Sequence, residues 1–132
     1  MKFMLDTDVC IALIRQSSSR LIERIISTPM GEIGLSAITV AELQFGVERS
    51  QRREQNQEAL LQFLLPFEIA DFDSKAAVEF GHIRAELEGN GLSIGSYDLL
   101  IASHACSLGV VLVTGNVNEF GRVKGLNMEN WI

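Results

Sequence analysis

Short apolar runs alternate with amphipathic stretches along this chain, and the two spacings assign most of its elements. Phe3-Met4-Leu5 is an unbroken apolar run that stops at Asp6, and Val9 to Arg15 then reads as a helix. Leu21, Ile22, Ile25 and Ile26 recur at helical spacing in a second helix that stops before Pro29. After Gly31, Ile33-Gly34-Leu35-Ser36 is a second strand, and Thr39 begins a helix running to about Ser50. The charged stretch Glu48 to Glu58 leads into Ala59 to Leu65 as one long helix closed by Pro66, and Phe67-Glu68-Ile69 is a third strand.

In the second half, Asp73 is placed to cap a helix in which Ala76, Phe80, Ile83 and Leu87 share a face, ending at Gly89-Asn90-Gly91. Ser96 is placed to cap the next, with Ile101, Ala105 and Leu108 on one face and a stop at Gly109. Val110-Val111-Leu112-Val113 is β-branched and unbroken, as expected of an interior parallel strand covered on both faces. Short strands alternating with longer helices predict an α/β fold of three layers, with a short central parallel sheet, as a single domain over residues 1–132. In such sheets ligands bind beyond the carboxyl ends of the strands. That rule singles out Asp6-Thr7-Asp8, the segment Ser36 to Glu42, and the segment Thr114 to Glu119.

Composition narrows the class. With 132 residues, 47% apolar and 21% charged, the chain can bury a core without disulfides, which excludes a disordered or fibrous protein. Cys10 and Cys106 lie in apolar surroundings far apart in sequence, so neither a CxxC redox pair nor a zinc knuckle is present, and two buried thiols are expected. Asp6 and Asp8 interrupt the first apolar stretch before a signal-peptide core forms, and Leu60 to Ala70 falls far short of the ~20 apolar residues of a membrane span. A soluble, cytoplasmic protein with no membrane partner is expected. Seventeen acids against eleven bases leave a net charge of −6, which on totals argues against a nucleic-acid partner.

The distribution of those acids matters more than their sum. Each inferred strand mouth carries a carboxylate, and Asp98 opens the helix leading into the Val110 strand. Carboxylates gathered in one pocket persist at neutral pH only with a compensating cation or with raised pKa values. Oxygen donors suit Mg²⁺ or Mn²⁺, and neither His82 nor His104 is placed to shift that choice. Each acid also has a plain structural explanation. Thr39 and Glu42 have capping-box spacing, Asp98 follows the cap position Ser96 by two, Asp8 is placed to cap the helix at Val9, and Glu119 fits a turn with Asn116 and Asn118. Asp6 is the hardest to explain away, and acids at every mouth position together favour a metal-binding site. Elsewhere, His82 and His104 read as packed or surface imidazoles, the Arg49, Arg52 and Arg53 knot as a solvated helix face, and Trp131 as an anchor for the last segment.

Several blocks, in order, resemble one family. Phe-Met-Leu-Asp-Thr-Asp-Val-Cys-Ile from Phe3, Ser-Ala-Ile-Thr-Val-Ala-Glu-Leu-Gln-Phe-Gly-Val from Ser36, Ile-Arg-Ala-Glu-Leu from Ile83, Tyr-Asp-Leu-Leu-Ile-Ala from Tyr97, and the tail Thr114 to Trp131 are similar to the VapC-like PIN-domain ribonuclease toxins of bacterial VapBC toxin–antitoxin modules. The resemblance implies a PIN domain and a Mg²⁺- or Mn²⁺-dependent endoribonuclease. Asp6 and Asp98 would be the main metal ligands, Glu42 and Glu119 would complete the catalytic set, and Asp8, Thr114 and Asn116 would be secondary residues. It further implies hydrolysis to a 3′-hydroxyl and a 5′-phosphate, tRNA, in particular initiator tRNA, as substrate, and a cognate VapB antitoxin that blocks the site. Toxin homodimers would assemble with that antitoxin into a larger complex that reaches operator DNA only through it. Two positions depart from the family pattern: Asp8 stands where an amide is common, and Gly115 where Asn is frequent.

Two other readings compete. Asp6-Thr7-Asp8-Val9 also fits the opening of haloacid-dehalogenase-type phosphohydrolases with Asp6 as nucleophile, but only Lys124 follows as a lysine after Thr114, no Asp-Asp pair occurs, and Glu42 and Asp98 are left without roles. A catalytically silent PIN-like binding module is the second, and intact acids at all four places count against it. If Asp6, Asp8, Glu42, Asp98 and Glu119 belong to a metal site, the remaining twelve acids face eleven bases, and the net charge ceases to argue against RNA. Arg49, Arg52, Arg53, Arg84, Arg122 and Lys124 are then candidate RNA contacts.

Overall fold

A computed structural model describes all 132 residues, Met1 to Ile132. The strands β1 (Phe3–Leu5), β2 (Ile33–Ser36), β3 (Glu68–Ala70), β4 (Val111–Val113) and β5 (Met128–Glu129) form one parallel sheet in the order β3-β2-β1-β4-β5. Around it lie α1 (Thr7–Arg15), α2 (Ser19–Ser27), α3 (Ala37–Glu48), α4 (Arg53–Leu64), α5 (Ser74–Gly89), α6 (Ser96–Leu108) and α7 (Val117–Phe120).

The expected three layers form because strand side chains alternate between faces. Phe3, Leu5 and Val113 enter one core with Val9, Cys10, Leu21, Ile25, Leu43 and Leu60 from α1 to α4. Met4 and Leu112 enter the other, with Ile83 and Leu87 of α5 and Leu99, Ile101 and Ala102 of α6. At Gly34, a Cβ would stand 2.7 Å from the Glu68 carbonyl oxygen, so the close approach of β2 to β3 requires glycine. Trp131 anchors the C-terminal segment as expected. It is buried edge-on against Phe3 at 5.0 Å, lies under the Arg24 guanidinium at 4.6 Å, and donates its indole N–H to Glu129 at 2.9 Å.

Several boundaries differ from those the pattern predicts. The first helix begins at Thr7 with Asp6 as its cap, so Asp8 is not the cap residue. Helix α3 begins at Ala37, capped by the Ser36 hydroxyl, which accepts from the Ile38 N–H at 3.0 Å; the Thr39/Glu42 capping box does not exist, and Thr39 is buried. The continuous helix expected from Glu48 to Leu65 is interrupted between α3 and α4, with an ion pair of 3.0 Å from Arg53 to Glu48 across the break. Gly95, not Ser96, occupies the cap position of α6, and Leu108 is exposed rather than on its buried face. The element α7 and strand β5 carry too little periodic signal to be seen in sequence. His104 is a packed imidazole whose Nδ1 shares a hydrogen bond of 2.8 Å with the Ser36 hydroxyl.

Cys10 is buried and Cys106 only partly so; both are free, and burial pushes both thiols up. No helix is long and apolar enough to cross a membrane.

Candidate active site

Because every strand pair is parallel, the carboxyl ends of β1, β2 and β4 share one edge of the sheet. The chain winds from β1 to β2 and β3 on one side, then crosses to β4 and β5 on the other, which makes the edge beside β1 the topological switch point. Asp6 leaves β1 and Thr114 leaves β4 at that point, and the Thr114 hydroxyl donates to Asp6 Oδ2 at 2.8 Å across 108 residues of sequence.

Asp6 is 4% exposed, and its other oxygen accepts the Thr7 N–H at 2.8 Å. Burial, and then the neighbouring charge of Asp8, push its carboxyl up to about 8. Thr114 is buried and its oxygen also accepts the Asn116 N–H at 3.0 Å, while the Asn116 amide donates to Glu119 Oε2 at 2.7 Å. The other oxygen of Glu119 accepts the Gly95 N–H at 2.7 Å, which, more than any other contact, holds this carboxyl below its ordinary value. Gly95 is the residue from which α6 starts, so this bond ties the β4 loop to the helix carrying Asp98. Asp98 stands in the first turn of α6, and burial together with the charges of Glu119, Glu42 and Asp8 pushes it up to about 6. Glu42, one turn into α3, accepts the Thr7 hydroxyl at 2.7 Å.

The fold therefore gathers the acids expected at the strand mouths. They do not all meet equally: Asp6 feels Asp8, and Asp98 feels Glu119, Glu42 and Asp8, so Asp8 is the acid whose charge raises both. A Cβ on Gly115 would lie 3.2 Å from an Asp8 carboxylate oxygen, so the two positions that depart from the family pattern are neighbours in space. The residues not anticipated are Thr7, which joins the β1 mouth to Glu42, and Gly95, which holds Glu119. Thr7 is legible as part of Asp-Thr-Asp, whereas a backbone N–H bond to a carboxylate 24 residues away leaves no trace in sequence.

The donor set suits a hard divalent cation. None of Asp6, Asp8, Glu42, Asp98 or Glu119 takes part in an ion pair with Lys or Arg. Burial first and then neighbouring carboxylates raise Asp6 and Asp98, and the ionised forms of both would be stabilised by an added cation. Each Asp6 oxygen has used one acceptor site and keeps another. No three His, Cys or acidic groups are gathered closely enough to enclose an ion by themselves.

A first prediction concerns the outer support of this site. Thr114→Val, which removes the hydroxyl at similar volume, is expected to lower the affinity for a divalent cation by roughly 10- to 100-fold, and Thr114→Ser to restore it. Titration calorimetry with Mn²⁺ reads this directly, and an unchanged affinity for the Val variant would refute the positioning role.

Of the basic residues singled out, Arg53, Arg84 and Lys124 pair with Glu48, Glu88 and Glu86. Arg122 donates to the Ser93 carbonyl at 2.7 Å beside the start of α6, and Arg49 lies against a groove adjoining Glu42.

Comparison with known proteins agrees with the fold. The PIN domain model matches residues 3–126. Ribonuclease VapC2 of Rickettsia felis is 43% identical over 132 residues, covering 99% of this chain and 98% of the relative. The tRNA(fMet)-specific endonuclease VapC of Shigella flexneri is 40% identical over 131 residues, with the same coverage. Among solved structures, DNA-bound VapBC from Salmonella typhimurium superposes with a TM-score of 0.95 at 40% identity, covering 100% of this chain and 99% of its counterpart. VapBC2 from Rickettsia felis, bound to a DNA fragment from its promoter, does so at 0.90 and 42% identity, with full coverage of both chains. A phosphohydrolase reading, which left Glu42 and Asp98 idle, gives way to one in which they adjoin the same mouth as Asp6. The family model and the relatives agree: the chain belongs to the VapC ribonucleases of the PIN-domain family.

Proposed function

We propose that this chain is the toxin of a VapBC-type toxin–antitoxin module, a Mg²⁺- or Mn²⁺-dependent endoribonuclease that hydrolyses tRNA, with initiator tRNA as the preferred substrate. The observation that carries the reading is the convergence of Asp6, Glu42, Asp98 and Glu119 on the switch-point edge, with Asp6 and Asp98 raised by burial and by their acidic neighbours. A relative named a tRNA(fMet)-specific endonuclease supports the substrate, and toxin–antitoxin complexes as structural neighbours support an antitoxin partner.

Asp6 and Asp98 would hold the cation, and Thr114 and the Thr7 N–H keep the Asp6 carboxylate turned into the site. When bound, such a cation lowers the pKa of a water and neutralises the phosphodiester oxygens during in-line displacement. Glu119, ionised and held by Gly95 and Asn116, accepts hydrogen bonds from that side of the mouth, and Thr7 keeps Glu42 facing it from α3. Attack by water at phosphorus then leaves a 3′-hydroxyl and a 5′-phosphate. Asp8 stands exposed at the mouth, a further charge where the family commonly has an amide. The same reading places the chain in the cytoplasm, as a homodimer within a toxin–antitoxin assembly that reaches operator DNA through the antitoxin.

Incubating antitoxin-free protein with total tRNA and Mg²⁺ or Mn²⁺ is expected to yield a discrete, EDTA-sensitive fragment pair, with initiator tRNA consumed first. Absence of any such product would overturn the ribonuclease reading, and general degradation of all RNA would overturn the tRNA preference.

A further inference from the structure

One groove adjoins Glu42 and extends away from the other acids. It has a volume of about 480 Å³, within the range of small-ligand sites, and Thr7 and Glu42 form its inner end. Ile11 of α1, Phe45 of α3, Arg49 at the end of α3, and Tyr97 of α6 also line it. Phe45 is 65% and Tyr97 60% exposed, so two aromatic rings face solvent around one concavity beside the reaction centre. Arg49 lies two helical turns along α3 from Glu42, roughly 10 Å away. Its guanidinium lies 5.5 Å from the Phe45 ring and enters no ion pair.

Gly46 is a second, independent observation. It sits inside α3, where glycine weakens a helix relative to alanine, and it too lines the groove. A Cβ there would meet nothing within 4 Å, so the packing of this chain does not demand glycine. The space that a side chain would fill belongs to the groove.

We propose that this groove is a nucleoside subsite. It seats one unpaired base of the RNA next to the scissile phosphate, stacked on the exposed rings of Tyr97 and Phe45, while Arg49 meets the adjoining phosphate. Stacking platforms with a flanking cation take bases from single strands and loops because every base has a π face, whereas a paired base inside a helix cannot reach them. The subsite would thus direct cleavage to looped-out nucleotides. This inference rests on the ribonuclease reading above, and its test keeps the two apart.

Two readouts are needed: anisotropy of a fluorescein-labelled hexauridylate in EDTA, where cleavage does not occur, and the kinetics of tRNA cleavage in Mn²⁺. Tyr97→Ala and Phe45→Ala are each expected to weaken hexanucleotide binding roughly 5- to 50-fold and to raise KM similarly, with kcat within about twofold. Tyr97→Phe should behave as the parent. Gly46→Leu, which fills the groove, should match the alanine variants, whereas Gly46→Ala should bind as the parent and melt at a higher temperature, showing that the helix tolerates the change. No measurable hexanucleotide binding by the parent, or unchanged binding and KM in the variants, overturns the proposal. So does a Gly46→Leu variant that cleaves normally but escapes inhibition by its antitoxin, since the groove would then belong to that peptide. If the parent cleaves no tRNA while the variants still lose hexanucleotide binding, the ribonuclease reading fails and the subsite stands.

Discussion

Asp98→Asn is expected to lower kcat for RNA cleavage by about a thousandfold while leaving the protein folded. The magnitude is the several kcal/mol by which a bound divalent ion stabilises transition-state charge, converted at about 1.4 kcal/mol per decade of rate. The asparagine keeps the shape of the side chain at the first turn of α6 and removes only the charge. Since that charge is opposed by Glu119, Glu42 and Asp8, the variant without metal should be at least as stable as the parent at pH 8. Mn²⁺ affinity should fall together with activity. Activity, metal affinity and a urea unfolding curve on one preparation separate this from damage to the fold. Retained cleavage would remove Asp98 from the site.

The second large effect is on stability. Burial and Asp8 raise the Asp6 carboxyl from an ordinary value of 3.8 to about 8, so the folded state binds that proton more tightly than the unfolded chain does. The contribution of Asp6 to stability without metal is therefore fully present below about pH 4 and is lost as pH rises through the window from about 4 to 8. Asp98, raised to about 6, steepens the lower half of that window. For the buried Asp6 the loss is of the order of a few kcal/mol, a large share of a small domain's stability. In EDTA, the urea midpoint should be higher at pH 5 than at pH 8. Mn²⁺ should restore stability at pH 8 by mass action, and Asp6→Asn should flatten the profile while abolishing the restoration. An apo protein as stable at pH 8 as at pH 5 would contradict the buried-charge account of this site.

The fold is largely legible in the sequence because its signals are local. Phe3-Met4-Leu5 and Val110 to Val113 are runs that only a strand covered on both faces accommodates, and the α5 face of Ala76, Ile83 and Leu87 is a helical period. What failed depended on a contact remote in sequence or on an element too short to register. Thr39 and Glu42 have the spacing of a capping box, yet Ser36, three residues earlier, takes the cap because its hydroxyl is simultaneously held by His104. Strand β5 pairs only Met128 and Glu129 with β4, too short a stretch for any period to register.

By its residue order alone, this chain determined an alternation of strands and helices and the placing of Asp6, Glu42, Asp98 and Glu119 just beyond or just inside those elements. Both follow from hydrophobic spacing and from interactions within a few residues. Only the tertiary structure decided that β1 lies between β2 and β4, and so that Asp6 meets Thr114 and Glu119 meets Gly95. It also decided how far each acid is withdrawn from water, and hence that Asp6 and Asp98 are raised while Glu119 is lowered. Desolvation and carboxylate repulsion depend on distances between residues remote in sequence, and packing alone sets those distances.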